Sequence, residues 1–281
     1  MTAINTNVNS LVTQNALRQN QNEMTTAMTR LSTGKRINTA SDDAAGMAIA
    51  SRMTSQINGL NQATRNAQDA MSMVQTADGA TIEISNMLQR MRELSIQSQN
   101  GTNTTEDRAA LNTEFEQLLE EVDRVASNTQ WNGRNVLDGS VDGTEGHVSF
   151  QIGANSDQTI TISFGDFNTA EGSGVYGAQI DSWSIDTDAS AASALSDIDS
   201  VINKVDAKRA EFGSVTNRLS FAINNLDNVA LNAEASRSRV QDADYGKETS
   251  QLARTQIIQQ AGTAMLAQAN ALPQTVLALL K

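Results

Sequence analysis

The chain has 281 residues with no cysteine, one histidine and one proline, Pro273. The absence of cysteine excludes a disulfide scaffold, a thiolate zinc site and a thiol nucleophile, and one histidine excludes a two-histidine metal site. The net charge of −12 is concentrated in residues 138–200, which carry 11 acidic residues and no Lys or Arg. Because unpaired carboxylates are costly to bury, we expect this segment to be exposed. An acidic chain without basic clusters is a poor nucleic-acid binder, so no nucleic-acid partner is predicted.

Residues 1–43 form an N-terminal arm with a narrow apolar stripe flanked by amides. The first twenty residues have neither a basic opening nor an apolar core of signal-peptide length, so we predict no cleavable signal. No window is long and apolar enough for a membrane helix, and no membrane partner is predicted. The stripe consists of Ile4, Val8, Leu11, Leu17, Met24, Met28 and Leu31.

Residues 44–137 are predicted to form two helices of a helical rod. In the first, apolar residues alternate in steps of three and four, which is typical of a coiled-coil seam. The rhythm slips near Asp78 and resumes, and the helix should end near Asn100-Gly101. For the second helix Thr104 is the candidate N-cap, and the helix should end before Asn132-Gly133. The seam of the first helix comprises Ala50, Met53, Ile57, Leu60, Thr64, Ala67, Met71, Val74, Ile84, Met87, Met91 and Leu94.

Residues 138–189 change from helical to strand periodicity. Apolar residues alternate with polar ones at 148–152 and again at 160–164, and 153–157 lies between the two runs. This pattern predicts a β-hairpin with a five-residue loop. We interpret the remainder as an acidic, surface-exposed loop with isolated Tyr176 and Trp183.

The rest of the chain returns to heptad spacing. Residues 190–236 carry a seam expected to pair with 44–137, and residues 237–281 form a C-terminal arm expected to pair with 1–43. Each arm alone has little to bury its stripe against, and copies of the same chain are the obvious candidates. The rod seam comprises Leu195, Ile198, Ile202, Val205, Arg209, Phe212, Thr216, Leu219, Ile223, Leu226, Ala230 and Ala233, and the arm stripe comprises Ile258, Gly262, Met265, Ala269, Leu272, Val276 and Leu279.

No motif in the chain predicts catalysis, a metal or a cofactor. His147 stands alone and is interpreted as a surface residue. The stretch 142–145 lacks the ligand spacing of a calcium loop, and 172–174 opens no helix that could bind phosphate. We therefore expect a structural protein rather than an enzyme.

Several long motifs resemble bacterial flagellin. They are Asn5-Thr-Asn7, the stretch 31–53 (LSTGKRINTASDDAAGMAIASRM), QRMREL at 89–94, WNGRNVL at 131–137, SRVQDADY at 238–245, and QIIQQAG at 256–262 continuing to QAN at 268–270. The chain resembles a short member with a minimal central region. The resemblance implies that the arms pair as a coiled coil in the inner tube of the filament, that 44–137 and 190–236 form the outer rod, and that the protein serves swimming motility.

The resemblance also implies partners. Flagellins are exported through the flagellar secretion apparatus with an export chaperone, become extracellular and polymerise with copies of themselves. Many are recognised by an animal Toll-like receptor, and the matching residues here are Gln89, Arg90, Glu93, Leu94 and Glu114. Residues 276–280 resemble the stretch that cytosolic immune receptors and the chaperone read. The residues expected to mediate polymerisation are Ile4, Val8, Leu11, Ile258, Met265, Leu272, Val276 and Leu279.

Three other functions were weighed against the filament subunit. The hook–filament junction protein of the same export system usually has proline after its paired aspartates, whereas Asp42-Asp43 precede Ala44-Ala45 here. A secreted ligand or adhesin would have no use for long seams at both termini. An enzyme is disfavoured by the lack of catalytic motifs.

Overall fold

The chain is mainly helical, with two small β-hairpins. The computed structural model describes residues 6–141, 146–169, 174–176 and 180–279, and for 272–279 the helical backbone alone. Within these residues the helices are α1 (Val8–Thr33), α2 (Ala44–Ser98), α3 (Thr105–Asn128), α4 (Asp188–Gln241) and α5 (Tyr245–Leu279). The strands pair antiparallel as β1 (Gln130–Trp131) with β2 (Arg134–Asn135), and β3 (His147–Gln151) with β4 (Thr159–Ser163). The predicted fold class is confirmed.

The chain divides into two compact units. The first, the terminal unit, comprises Met1–Gln56 and Leu231–Lys281, and the second, the central unit, comprises Ile57–Ala230. The helices α2 and α4 each contribute residues to both.

In the terminal unit, α1 packs along α5, and the turn after α1 contacts the end of α4. Gly34 has a φ of 70° and its N–H donates to the Arg30 carbonyl, which ends α1 in a left-handed cap. The backbone N–H of Arg36 donates to the carbonyl of Gln241 at 2.7 Å, so the α1–α2 turn caps the C-terminus of α4. Asp43 accepts from the backbone N–H of Gly46 at 2.8 Å and thereby starts α2.

The central unit buries the apolar faces of α2, α3 and α4 in one core. Along α2 and α4 the predicted seam positions Ile57, Leu60, Ala67, Val74, Ile198, Val205, Phe212, Leu219 and Leu226 are buried. The buried face is wider than the predicted seam, because α2 also buries Ala63, Ala70, Met73, Ala77 and Leu88. A helix that contacts two neighbours needs a broader apolar face than a two-helix seam supplies.

Three polar contacts join α2 to α4 and show that the two helices run antiparallel. Arg92 Nε lies 2.6 Å from Asp199 Oδ1, Arg209 Nε lies 3.3 Å from Asp78 Oδ1, and Thr64 Oγ1 lies 3.2 Å from Asp227 Oδ1. Residue numbers rise along α2 as they fall along α4, which is the order that antiparallel helices require.

The predicted N-cap of α3 is confirmed as a complete capping box. The hydroxyl of Thr104 accepts from the backbone N–H of Asp107 at 3.2 Å, and the Asp107 carboxylate accepts from the backbone N–H of Thr104 at 2.9 Å. The pKa of Asp107 is lowered by the hydrogen bond that its carboxylate accepts from the backbone N–H of Thr104 and, to a smaller extent, by the one it accepts from the Thr104 hydroxyl at 2.9 Å.

The β3–β4 hairpin has the predicted five-residue loop, whereas the β1–β2 hairpin was not predicted. Gln151 pairs with Thr159, and the next residue's N–H donates to the Gln158 carbonyl, which leaves 153–157 as the loop. The β1–β2 turn at Asn132-Gly133 has φ angles of 50° and 75°. An Asn-Gly pair with positive φ at both positions is a strong hairpin signal. From the sequence we predict only that the helix ends before this pair.

The prediction that 138–189 is a surface loop is wrong for its apolar side chains. Five of them are fully buried in the core of the central unit: Phe164, Phe167, Tyr176, Ile180 and Ile185. Lysines of α4 hold this segment in place, since Lys204 Nζ donates to the Tyr176 carbonyl at 2.6 Å and Lys208 Nζ to Ser163 Oγ at 3.0 Å. Burial raises the pKa of Tyr176, with the nearby charges of Asp123 and Asp166 as smaller causes.

Loss of the α3 cap should destabilise the chain. We expect Thr104→Ala to lower the free energy of unfolding by about 1 kcal/mol, because the backbone N–H of Asp107 loses its acceptor and the Asp107 carboxylate loses the hydroxyl donor of Thr104. Urea unfolding followed by circular dichroism measures the change. Thr102→Ala, an exposed residue in the preceding turn, should change the free energy by less than about 0.5 kcal/mol. Equal effects of the two substitutions would contradict a capping role.

The same cap should weaken in acid. Because folding lowers the pKa of Asp107, its carboxylate stabilises the fold above the unfolded-state pKa, and this contribution is lost as the pH falls through the folded-state pKa. We therefore expect the stability difference between the natural chain and Thr104→Ala to shrink below about pH 4. Unfolding curves at pH 7 and pH 3 measure it, and a difference that grows in acid would be incompatible with this assignment.

Candidate functional site

Two surfaces were predicted, one on the central unit and one on the arms. The first is formed by α2 and α3. Arg90 donates through Nε to Glu114 Oε1 at 2.9 Å and through Nη1 to Glu93 Oε2 at 3.0 Å. We call these three side chains the Arg90 cluster. The side chains of Arg90, Glu93 and Glu114 are 47%, 68% and 46% exposed, respectively, so the cluster lies on the surface. Gln89 beside it is also exposed.

The Arg90 cluster is a surface ion-pair network with its charges already partnered. The hydrogen bond to Glu114, followed by that to Glu93, raises the pKa of Arg90. The guanidinium is therefore always charged, and Glu114 and Glu93 orient it. A partner that binds here meets a preorganised fork of donors beside two carboxylates.

Leu94 does not belong to this surface. Its side chain is fully buried, like that of Met91 three residues earlier, and both belong to the core of the central unit. The sequence had placed Leu94 both on the apolar seam of α2 and on the recognition patch. The structure places Leu94 on the seam only. It lies on the same helix face as Met91, because residues three apart share a face.

The arms expose apolar side chains in the single chain. Of the residues predicted to mediate polymerisation, Val8 is 58% exposed, Leu11 55%, Ile258 42% and Met265 63%. The prediction missed Val12 and Ile257, which are 63% and 67% exposed. The remaining predicted residues lie outside the described residues or side chains: Ile4, Leu272, Val276 and Leu279.

The buried positions at which α1 and α5 contact each other carry polar or small residues. On α5 the positions Glu248, Thr255, Gly262 and Ala269 follow at intervals of seven, and three of them are buried with Gly262 half-buried. On α1 the buried positions are Ser10, Asn20 and Ala27. Val8, Leu11, Ile258 and Met265, which were predicted to mediate polymerisation, face outward from this contact. A search for polar and small residues at heptad spacing could have found the contact face.

The structure shows little that resembles a reaction centre. Among the described residues there is no group of three or more side chains suited to hold a metal ion. No helix in the described part of the chain has the length and hydropathy to cross a membrane. His147 is exposed at the start of β3, as predicted.

Comparison with known proteins points to one family. Residues 4–142 match the bacterial flagellin N-terminal helical region, and residues 195–280 match the bacterial flagellin C-terminal helical region. The chain is 44% identical to a flagellin of Halalkalibacterium halodurans over 278 residues, covering 99% of each chain, and 38% identical to flagellin FlaB1 of Treponema pallidum over 99% of each chain. In fold it is similar to a putative flagellar hook-associated protein from Vibrio parahaemolyticus, with a TM-score of 0.59 and 15% identity over 72% of this chain and 100% of that one.

The placement of Leu94 can be tested by stability. We expect Leu94→Ala to lower the free energy of unfolding by about 2–5 kcal/mol, because it leaves a cavity in the core. Leu231→Ala removes the same atoms from a side chain that is 67% exposed and should cost less than about 0.5 kcal/mol. Chemical denaturation of the two variants measures both values. Similar losses would show that Leu94 is not a core residue.

Proposed function

Because the chain belongs to the bacterial flagellin family and is a structural subunit of the motile flagellar filament, we propose that it polymerises through the outward apolar residues of α1 and α5. The observation that carries the proposal is the exposure of Val8, Leu11, Ile258 and Met265 on the two arms. Full burial of one large apolar side chain against a neighbour contributes about 1.5–3 kcal/mol of free energy to the association. A neighbouring copy supplies that burial.

The geometry of such a contact explains a filament rather than a closed ring. A contact between two different surfaces of identical subunits generates an open helix when the rotation does not close. The contact face between α1 and α5 is polar, so the apolar residues outside it are free for a different copy. In the filament, we propose, the two arms form the paired coiled coil of the inner tube.

The filament subunit is favoured over the two other binding functions. Similarity to a hook-associated protein at 15% identity reflects the fold alone, whereas flagellins match over 99% of the chain. Asp42-Asp43 are followed by alanines rather than proline, and Asp43 caps α2 through Gly46. A monomeric host-binding ligand would gain nothing from apolar residues exposed along both arms.

The route out of the cell is also part of the proposal. The filament is the extracellular part of the flagellum. We propose that the chain reaches it through the flagellar secretion apparatus, with an export chaperone. The polar opening sequence and the lack of disulfides support threading through a narrow channel. As a member of a structural family the subunit is proposed to have no enzymatic activity and no cofactor.

A secondary role as an innate immune ligand is proposed for the Arg90 cluster. Arginine is enriched among residues that dominate binding energy, and here Glu114 and Glu93 fix its guanidinium at the surface. Gln89 adds an exposed amide, whereas Leu94 acts only through the core. We propose a Toll-like receptor as the partner. Cytosolic immune receptors remain a further proposal, which rests on the resemblance of residues 276–280.

Polymerisation should fail when the outward apolar surface is charged. We expect Met265→Glu to abolish filaments in high salt, as viewed by electron microscopy, because burial of a carboxylate opposes contact with a neighbour. Met265→Leu keeps an apolar side chain of similar size and should assemble normally. Circular dichroism checks that both variants keep their helices. Normal filaments from Met265→Glu would remove this residue from the interface.

Removal of the arms provides the broader test. A chain lacking residues 1–40 should form no filaments while its remaining helices stay folded. Normal filaments from a chain that lacks both arms would refute the mechanism.

Receptor activation should depend on Arg90. We expect Arg90→Asp to raise the concentration needed for activation of Toll-like receptor reporter cells by about tenfold or more, as the loss of an interface arginine typically does. Arg124→Asp removes another exposed arginine, which lies on α3 and pairs with Glu121, and serves as the matched control. Equal potency of the two folded variants would exclude the Arg90 cluster as the binding surface.

A further inference from the structure

Three polar contacts join α1 and α5 at separate points along the two helices. Arg30 Nη1 lies 3.2 Å from Glu248 Oε1, Asn20 Nδ2 donates to the Thr255 carbonyl at 2.8 Å, and Asn7 Nδ2 donates to the Ala269 carbonyl at 2.7 Å. Leucine or isoleucine repeats pack in any register that keeps their spacing, but these polar pairs do not. The register of the two arms therefore depends on polar recognition.

Asn20 is the most buried of the polar side chains that reach across this face. It is 5% exposed, and its amide also donates to Gln259 Oε1 at 3.2 Å. Its own carbonyl oxygen is buried without a hydrogen-bond partner among the described residues. A leucine of the same shape would avoid that desolvation cost. A buried asparagine that costs stability is a known means by which helical pairs specify their register.

The neighbours of Gln259 make this recognition specific to one register. A backbone carbonyl such as that of Thr255 is present on every turn of α5, so it does not distinguish registers by itself. The residues seven positions before and after Gln259 are Leu252 and Leu266. A slip of one heptad would therefore place the amide of Asn20 against leucine, and its second hydrogen bond would be lost.

A steric contact one turn away reinforces the same register. A Cβ on Gly262 would lie 2.9 Å from Leu17 Cδ2, so Leu17 would have to shift if position 262 carried a side chain. One heptad away in either direction, Leu17 would face Thr255 or Ala269, which both carry a Cβ. The amide contact and the glycine contact thus select the same alignment.

We propose that Asn20 is the specificity-determining residue that fixes the register of α1 against α5, with Gln259 as the amide that recognises it. The register decides which outward residues of α1, such as Val8, lie beside which outward residues of α5, such as Met265. The inference concerns contacts within one chain and does not depend on the proposed polymerisation.

Cysteine crosslinking can read the register directly, because the natural chain has no cysteine. Glu23 is exposed, Gln251 is half-buried, and a 3.2 Å hydrogen bond joins their side chains, so cysteines there report the observed register. Ile258, seven residues beyond Gln251, reports a slip of one heptad. The full chain carrying Glu23→Cys, Gln251→Cys and Ile258→Cys is oxidised in low salt, before assembly, and the competing 23–251 and 23–258 disulfides are quantified by peptide mass spectrometry.

With Asn20 present, the 23–251 disulfide should dominate. Asn20→Leu should raise the ratio of 23–258 to 23–251 product by about tenfold, and Gln259→Leu should act in the same direction. Gln21→Leu, at the neighbouring exposed amide, is the matched control and should leave the ratio unchanged. If Asn20→Leu loses helical circular dichroism, Gln259→Leu decides. A ratio within twofold of the parent in the folded leucine variant, or no excess of 23–251 product in the parent, would overturn the proposal.

Discussion

The structure depends on where a limited supply of large apolar side chains is buried. In the central unit, α2, α3 and α4 direct them into one core, in which Met91, Leu94, Phe115 and Phe212 are at most 1% exposed. In the terminal unit, the contact between α1 and α5 uses Asn20, Thr255 and other polar or small residues instead. Burial inside the chain therefore stabilises the central unit, while the arms keep apolar surface for contacts outside it.

This difference connects composition to assembly. A helix pair held by amides and a partly buried ion pair, Arg30 with Glu248, gains little from apolar transfer. The same pair has a defined alignment, because amides and carboxylates recognise particular partners. The arms thus combine a specific pairing within the chain with an unsatisfied apolar surface outside it. A subunit that must remain separate until it meets a filament end requires both properties.

Sequence reasoning succeeded where a signal is local or periodic. Thr104 and Asp107 form the capping box that their spacing indicates, and 153–157 forms the predicted hairpin loop. It failed where position in space decides. Tyr176 lies in a stretch of Gly, Ser and Asp without periodicity, yet it is fully buried and its ring stands edge-on to Phe167 at 5.9 Å. Nothing in the neighbouring residues indicates burial, because the atoms that cover Tyr176 come from distant parts of the chain.

The candidate site shows the same division. The charges of Arg90, Glu93 and Glu114 are on the surface as expected, since charged side chains are seldom buried. Leu94 is in the core, and Val8, Leu11, Ile258 and Met265 of the arms face outward, whereas polar and small residues lie between the two helices. The sequence by itself determined the helices, the N-cap of α3, the β3–β4 hairpin and the family, because these follow from local spacing and from long motifs. Only the tertiary structure decided which helix face meets which neighbour, because that choice depends on the combined burial of residues far apart in the chain.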